Sequence, residues 1–452
     1  MHASNPVSPS DDRRGLGSPA RRESAAVTFP ASARPSVAVI GSGVSGLTAA
    51  YLLARTHDVI LFEADSRLGG HAHTHELSGP DGSAYAVDSG FIVHNDRTYP
   101  WLRKLFGELD VAVRPTEMSM SIRCDGCGLE FAGGRGLRGV LAQPRRILDA
   151  RLARTLLQVK RFHRRATAFL ASSDDGDLTT YGEFLDREGF SEHFVAHYAV
   201  PVVSCVWSCG RATALLYPAR YLFRFLDNHG LLSLTGSPQW FTVVGGSRTY
   251  VERLAARLPD VRSSHAVTDV TRHRDGVEVR DSTGQVTQVD RVVIATHADQ
   301  ALNLLTNPSD EEVRTLKAFD YSRNETVLHT DSSALPTTRG ARASWNYRMS
   351  SCTSPAGSAA VTYWMNRLQG HASPPDYLVT LNASEPIDPA AVLATMDYEH
   401  PIYTPEAVAA QSRLAGLATD RTVYAGAYHG WGFHEDGCRS GVEAARHFGL
   451  TW

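Results

Sequence analysis

The sequence predicts an α/β protein in which a doubly wound dinucleotide-binding domain is interleaved with a mixed α+β substrate domain. Two stretches at opposite ends of the chain carry that expectation. Residues 37–46 are an apolar β-run that ends in Gly41-x-Gly43-x-x-Gly46 and passes straight into a helical pattern at 47–55. Residues 421–426 form a strand closing on Gly426, after which 430–437 lead into a second helical pattern at 438–448. Size agrees: with 452 residues, 42% of them hydrophobic, the chain exceeds one ordinary core.

Each residue of the first motif has a physical task. Gly41 permits the tight strand-to-helix turn, Ser42 fills it, and Gly43 lets the backbone approach a pyrophosphate. Ser45 and Gly46 open the helix, Gly46 allows close packing on the strand, and the helix N-terminus faces the anion. The next strand, Asp58-Val-Ile-Leu-Phe-Glu63, ends in an acid about 20 residues after the first glycine, where a carboxylate can bond ribose hydroxyls. Ala64 and Arg67 follow, then a second pair, Gly69-Gly70, and Gly70-His-Ala-His-Thr74.

That last segment resembles the one that two-domain flavoenzymes lay along the ribityl and pyrophosphate of FAD, so FAD is the expected cofactor. Further pieces extend the likeness: Asp88-Ser-Gly-Phe-Ile-Val-His-Asn95 with Thr98-Tyr-Pro100, Met118-Ser-Met-Ser121, Asn228-His-Gly-Leu-Leu232, Gly245-Gly-Ser-Arg-Thr-Tyr250 and Gly432-Phe-His-Glu-Asp-Gly437. From about Val37 onward the chain resembles the flavin-containing amine oxidase superfamily. Within it, the likeness is to bacterial FAD oxidoreductases similar to the N-terminal oxidase-like region of plant cyclopropane fatty acid synthases. The resemblance implies that Gly90, Phe91 and Ile92 pass beside the flavin ring and that Val267 clasps adenine. It further implies a second cofactor cluster of Gly426, Phe433, Glu435, Asp436 and Gly437, whose backbone amides stabilise charge at the pyrimidine end. His71 stands where many amine oxidases have Arg. Tyr398 falls near the flavin-linking Cys of some monoamine oxidases, which implies FAD held without a covalent bond.

Residues 1–35 carry Ser, Pro, Ala, Gly and Arg without periodicity and read as a disordered tail, not a secretion signal. Segments 36–97, 240–320 and 405–452 are assigned to the FAD-binding domain, and 98–239 and 321–404 to the substrate domain. An amphipathic helix is expected at 98–109, a hairpin through Phe131, helices to about 227 and strands at 325–385. Between 135 and 165 ten Arg or Lys residues face one acid, Asp149. Arg151, Arg154, Arg161 and Arg165 share one helical face and Leu148, Leu152, Leu156 and Val159 another. Such a helix is either a solvated face over a core stripe or a contact for anionic phospholipid. Cys124-Asp-Gly-Cys127 and Cys205-x-x-x-Cys209 could close a thiolate zinc site, but Asp125-Gly126 reads as a hairpin turn, and no metal is expected.

Flavin takes a hydride at N5, so the chemistry needs no protein nucleophile. His434 is the foremost catalytic candidate, because the resemblance aligns it with one of two aromatics that flank the amine in monoamine oxidases, and an imidazole there can move a proton. His400 is the second. His94, Asn95, Trp345, Tyr363, Trp364 and Tyr403 are candidate substrate contacts. His434 breaks the paired-aromatic pattern of an amine cage. The plant resemblance implies instead an unsaturated or methylated fatty-acyl chain that is desaturated, isomerised or oxidised. The alternatives are an amine or porphyrinogen oxidase, and a non-catalytic FAD-binding partner of a lipid methyltransferase. A net charge of −3 argues against nucleic acid, and the absence of a long apolar run suggests a cytoplasmic protein, at most peripheral at the inner face of a membrane.

Overall fold

The computed structural model describes residues 34–79, 82–146, 149–233, 236–353, 360–372 and 375–452. All but the last two residues of the expected tail lie outside that set.

A five-stranded parallel sheet, ordered Asp260–Arg262, Asp58–Phe62, Ser36–Ile40, Arg291–Ile294 and Thr422–Tyr424, unites segments distant in sequence. The strands read as continuous apolar runs because both faces are covered. Alternate residues feed different cores. Val37, Val39, Leu61 and Val293 join the helices Val44–Leu53 and His434–His447 on one face, while Ala38, Ile40, Val292 and Ile294 pack under Ala298–Leu304, Asp310–Leu316 and Pro405–Leu414 on the other. The helices Val44–Leu53 and His434–His447 touch backbone to backbone: a Cβ added to Gly441 would fall 2.3 Å from the Ser45 carbonyl oxygen. The first and last motifs of the chain thereby meet.

A second, seven-stranded sheet runs Val392–Ile402, Asp320–His329, Leu378–Leu381, Ala360–Trp364, Trp345–Met349, Met120–Cys124 and Leu129–Gly133. The last two strands are the expected hairpin, added in parallel to Trp345–Met349. Beside this sheet lie helices around an aromatic core of Phe162, Tyr181, Phe184, Phe194 and Phe223. Among the described residues no helix is long and apolar enough to cross a membrane.

The basic stretch is not one helix. Gly136–Val140 and a 3-10 turn at Pro144–Arg146 precede the long helix Ala150–Ser172, whose start is capped by Asp149 accepting the Arg151 N–H at 2.8 Å. Several cations are also committed to the fold. Arg135 donates to the carbonyls of Gly340 and Arg342, Arg146 pairs with Asp149, Arg161 reaches the Glu188 carbonyl and Arg165 pairs with the Glu188 carboxylate. Leu152 is buried as expected, and Leu148 lies outside the described residues.

Candidate functional site

The glycines of the first loop do different work. Gly41 turns at φ +98°, and a Cβ added there would lie 2.7 Å from the Ala295 carbonyl oxygen; one on Gly46 would lie 1.9 Å from the Gly41 oxygen. Both serve the fold itself. Around Gly43 an added Cβ meets nothing within 4 Å. Gly43 also caps the helix Val44–Leu53, which has no side-chain cap and no acid in its first turn. The opening amides, those of Ser45 and Gly46 among them, therefore present uncompensated positive charge to the space beside Gly43, which fits a pyrophosphate.

Glu63 leans back over this loop. One carboxylate oxygen accepts the Ser42 N–H at 2.9 Å and the Ser42 hydroxyl, and the other accepts the Asp65 N–H at 2.9 Å. Ala64 is exposed beside it. The His265 N–H donates to the Glu63 carbonyl at 2.9 Å, which sets Val267, at the start of the strand Val267–Arg272, alongside. The second glycine loop lies against the first: the Gly69 N–H donates to the Ser42 carbonyl at 3.1 Å, and a Cβ on Gly70 would lie 3.3 Å from the Gly43 Cα. Arg67 shapes that loop by donating to the carbonyls of Leu68, Gly70 and Ala72. Thr74 is turned elsewhere. Its hydroxyl donates to Asp88 at 2.5 Å and accepts the Arg248 N–H, so it belongs to an internal network and not to a cofactor surface.

Asp88 is the centre of that network, which sequence reasoning missed. Fully buried, it accepts from the Ser247 amide and hydroxyl and from Gln369 as well, and burial raises its pKa to about 6. It ties the approach to the Gly90-Phe91-Ile92 segment to Gln369 and to the start of the helix Arg248–Ala255. Gly90 presses on the His71 carbonyl, which accepts the Phe91 N–H at 2.7 Å, and the Ile92 carbonyl accepts the Thr242 hydroxyl. The His71 ring lies 4.9 Å from Tyr398 and 5.4 Å from His400, and its Nε2 is buried without a partner. An orphaned buried nitrogen beside two glycine loops fits a polar ligand that completes it.

His400 lies on the strand Val392–Ile402, not in a turn. Its Nδ1 accepts from Asn324 at 2.9 Å, and Asn324 is oriented in turn by Asn382. The ring proton therefore belongs on Nε2. Burial lowers the His400 pKa to about 4, so the imidazole is neutral at pH 7, and the residue sits half-buried beside His71. His434 is arranged less freely. Its ring stacks on Phe91 at 3.8 Å and its Nε2 meets the Tyr250 hydroxyl at 3.1 Å, while burial lowers its pKa to about 3. The two half-buried histidines are thus held differently, His434 through Nε2 by Tyr250 and His400 through Nδ1 by Asn324.

The C-terminal cluster is also redistributed. The Glu435 carboxylate turns away to accept the Trp101 and Leu102 amides, both at 3.0 Å, and caps the helix Pro100–Glu108. Asp436 accepts the Trp431 and Phe433 amides and pairs with Arg439. Burial raises these two carboxyls to about 7 and about 6. No side chain caps the helix His434–His447, so its first amides remain the available donors. Phe433 packs against Phe225 at 4.9 Å, Gly426 donates to Ser440, and a Cβ on Gly437 would strike Val44.

Several substrate candidates prove structural. His94 stacks on Phe241 within the core, and Asn95 folds a local turn by accepting the Arg97 and Thr98 amides; both are at most 1% exposed. Trp364 donates to Asp376 beneath Arg367. Tyr403 is wholly buried behind Gly432. Trp345 retains an unpartnered buried Nε1 against Tyr363 and remains a candidate. Cys205 packs in the same apolar core as Cys124 and Cys209 in another, and neither is among the side chains whose ligating atoms gather with those of Cys124 and Cys127. His400 and Asn324 carry no local motif. They meet only through the register that pairs Asn324 with Tyr398 and Ser322 with His400.

Comparison with known proteins completes the picture. A tryptophan 2-monooxygenase from Allorhizobium ampelinum is 51% identical over 55 residues, 12% of this chain and 8% of that protein. An L-amino acid oxidase from Cerastes cerastes is 55% identical over 40 residues, 9% of this chain and 8% of that one. The chain thus matches less than a tenth of the length of either relative. Among solved structures, a CLA-producing fatty acid isomerase from P. acnes superposes with a TM-score of 0.66 at 15% identity, covering 93% of this chain and all of that one. Cyclohexylamine oxidase from Brevibacterium oxydans gives 0.65 at 16% identity over 92% and 98%. These likenesses establish the amine-oxidase fold. Residues 44–373 match the family described as flavin containing amine oxidoreductase, and the chain belongs to that family, whose description implies a flavin cofactor.

Proposed function

We propose that the protein binds FAD without a covalent bond and oxidises, desaturates or isomerises an unsaturated or methylated fatty-acyl chain. When bound, the flavin supplies the acceptor for a hydride. The chain's own residues do the rest. Ser42, Gly43, Ser45, Gly46 and Glu63 hold the nucleotide, Gly69, Gly70, His71 and the 90–92 segment flank the ring, and the opening amides of the helix His434–His447 face its polar end. His400 Nε2, oriented by Asn324, is the proton donor to the substrate, and Tyr398 and His71 position it.

The observation that carries the lipid reading is the neutral lining. Glu435 and Asp436 are engaged by backbone amides, Glu399 meets the His297 ring at 3.3 Å, and burial lowers the pKa values of His71, His400 and His434, so these acids already have partners where an ammonium group would need one. The fatty acid isomerase with the same fold agrees with this reading. Exposed Leu137 and Leu157, 78% and 70% accessible among Arg138, Arg154 and Lys160, offer a contact for an anionic membrane surface. A lipid methyltransferase partner rests on the plant resemblance alone.

The test is anaerobic titration of the yellow protein with extracted phospholipid, followed at the flavin band and by mass spectrometry of the acyl chains. Bleaching, or a shifted double bond without net bleaching, is expected. Reduction by amines with acyl chains untouched would overturn the lipid reading and leave the flavin reading standing.

A further inference from the structure

The hairpin tip Cys124–Cys127 packs on two other segments. The Asp125 N–H donates to the Met349 carbonyl at 2.9 Å, and a Cβ on Gly126 would lie 2.9 Å from the Ser351 Cα, so the loop after Trp345–Met349 is pressed onto the tip. This brings in Cys352. From the other side comes His197, in the single π-turn Val195–Ala199 that precedes the helix Val200–Trp207. π-Turns recur at functional sites because they re-aim a side chain.

The ligating atoms of Cys124, Cys127, His197 and Cys352 all lie within 4.8 Å of one another. Cys124 Sγ and Cys352 Sγ are 3.7 Å apart, and Cys127 Sγ and His197 Nε2 are 3.6 Å apart. Zinc with bonds of about 2.3 Å to sulfur and about 2.0 Å to nitrogen spans tetrahedral edges of about 3.8 Å between sulfurs and about 3.5 Å between sulfur and nitrogen. Both separations fall on those edges. The outer contacts agree as well. His197 Nδ1–H donates to the His193 carbonyl at 2.9 Å, which leaves the Nε2 lone pair facing the sulfurs, the arrangement that metal-binding histidines adopt. Arg146 donates to the Cys127 carbonyl, placing a cation beside the cluster, and the Gly128 N–H closes the turn on the Cys124 carbonyl at 2.8 Å. All four ligand residues are free of other covalent bonds, and Cys127 and Cys352 keep some exposure, which leaves a path for entry.

We propose that Cys124, Cys127, His197 and Cys352 bind one structural zinc ion. Binding releases three thiol protons to solvent and takes the imidazole as a neutral donor, giving a site of net charge −1 beside Arg146. The metal ties three segments together: the hairpin, the loop after Trp345–Met349 and the π-turn that leads into the helix Val200–Trp207. That helix ends at Trp207, whose indole N–H donates to the Trp431 carbonyl at 2.9 Å, so the tie reaches the segment that leads into the helix His434–His447. No open coordination position is left for a substrate, which makes the site structural.

The full chain, purified anaerobically without chelators from zinc-supplemented cells, is examined by elemental analysis and zinc-edge X-ray absorption. The expected result is one zinc per chain in a shell of three sulfurs and one nitrogen. Cys352→Ser and His197→Ala should lose most of the metal, His197→Cys should keep it, and Cys209→Ser should match the parent. Should the cysteine variants fail to fold, thiol modification of the parent protein decides. Release of one zinc as three thiols react supports the site. Metal-free protein that does not take up added zinc, a shell without sulfur, or peptide mapping that finds Cys124 joined to Cys352 would each overturn it.

Discussion

Alanine in place of Gly43 separates the need for glycine in the fold from the need for it at the ligand. The added methyl meets no atom within 4 Å, and the native φ of −63° and ψ of 175° are accessible to alanine. The free protein should therefore lose no more than about 1 kcal/mol, the difference between glycine and alanine at a helix N-cap. FAD should suffer far more, because the methyl occupies the approach to the helix amides. Losing two charge-assisted hydrogen bonds costs about 3–6 kcal/mol, or about 10²–10⁴-fold in Kd. The assay is fluorescence titration of deflavinated protein with FAD, paired with urea unfolding of the same sample. Gly46→Ala is the contrast: its Cβ would sit 1.9 Å from a backbone oxygen, so it should damage stability and binding together. Wild-type affinity in the Gly43→Ala variant would refute the assignment of this cradle to the pyrophosphate.

The two histidines and one buried acid give further predictions. His400→Ala should keep FAD and slow substrate-dependent flavin reduction by about 10²–10⁴-fold, the usual loss when a positioned proton donor is removed, as read by anaerobic stopped flow. His434→Ala should instead lower stability by about 2–4 kcal/mol, from the lost stack on Phe91 and the unpaired Tyr250 hydroxyl, with reduction per bound flavin preserved. A rate loss in His434→Ala alone would assign the proton to His434 and overturn the role proposed for His400. Glu435 titrates at about 7 in the folded chain against an ordinary 4.5, so the folded state binds the extra proton. That contribution is fully present below pH 4.5 and is lost as pH rises through 7. Relative to the non-titrating Glu435→Gln variant, the parent should lose about 2–3 kcal/mol of unfolding free energy between pH 5 and 8. Parallel pH profiles of the two proteins would show that burial does not raise this carboxyl.

What the sequence made legible was what depends on neighbours along the chain. The glycine loop, the acid at the end of the second strand and the hairpin at Asp125-Gly126 are local patterns, and each stands where its spacing put it. Side chains whose direction is set by tertiary register were not legible. His94 and Asn95 looked like a strand end near a ring, but pairing of Val93–Asn95 with Trp240–Val243 turns one onto Phe241 and the other into its own turn. Glu435 sits in a cofactor-like motif, yet its carboxylate serves a helix 334 residues earlier.

The cysteines sharpen the same point. Two pairs with plausible ligand spacing suggest one site, but Cys205 and Cys209 go to separate cores and neither is among the gathered ligand atoms. The partners that do converge on Cys124 and Cys127 are a histidine 70 residues downstream and a cysteine 228 residues away, neither within any motif. Spacing finds the half of a metal site that one turn can build. The other half is built by packing, here by a glycine that lets the Ser351 backbone sit on the hairpin tip and a π-turn that aims an imidazole back at it. A bulky residue at position 126 should therefore expel zinc as effectively as loss of a ligand. Metal content of a Gly126→Val variant that retains its flavin would measure this, and a full complement of zinc there would show that the loop contact is not what gathers the ligands.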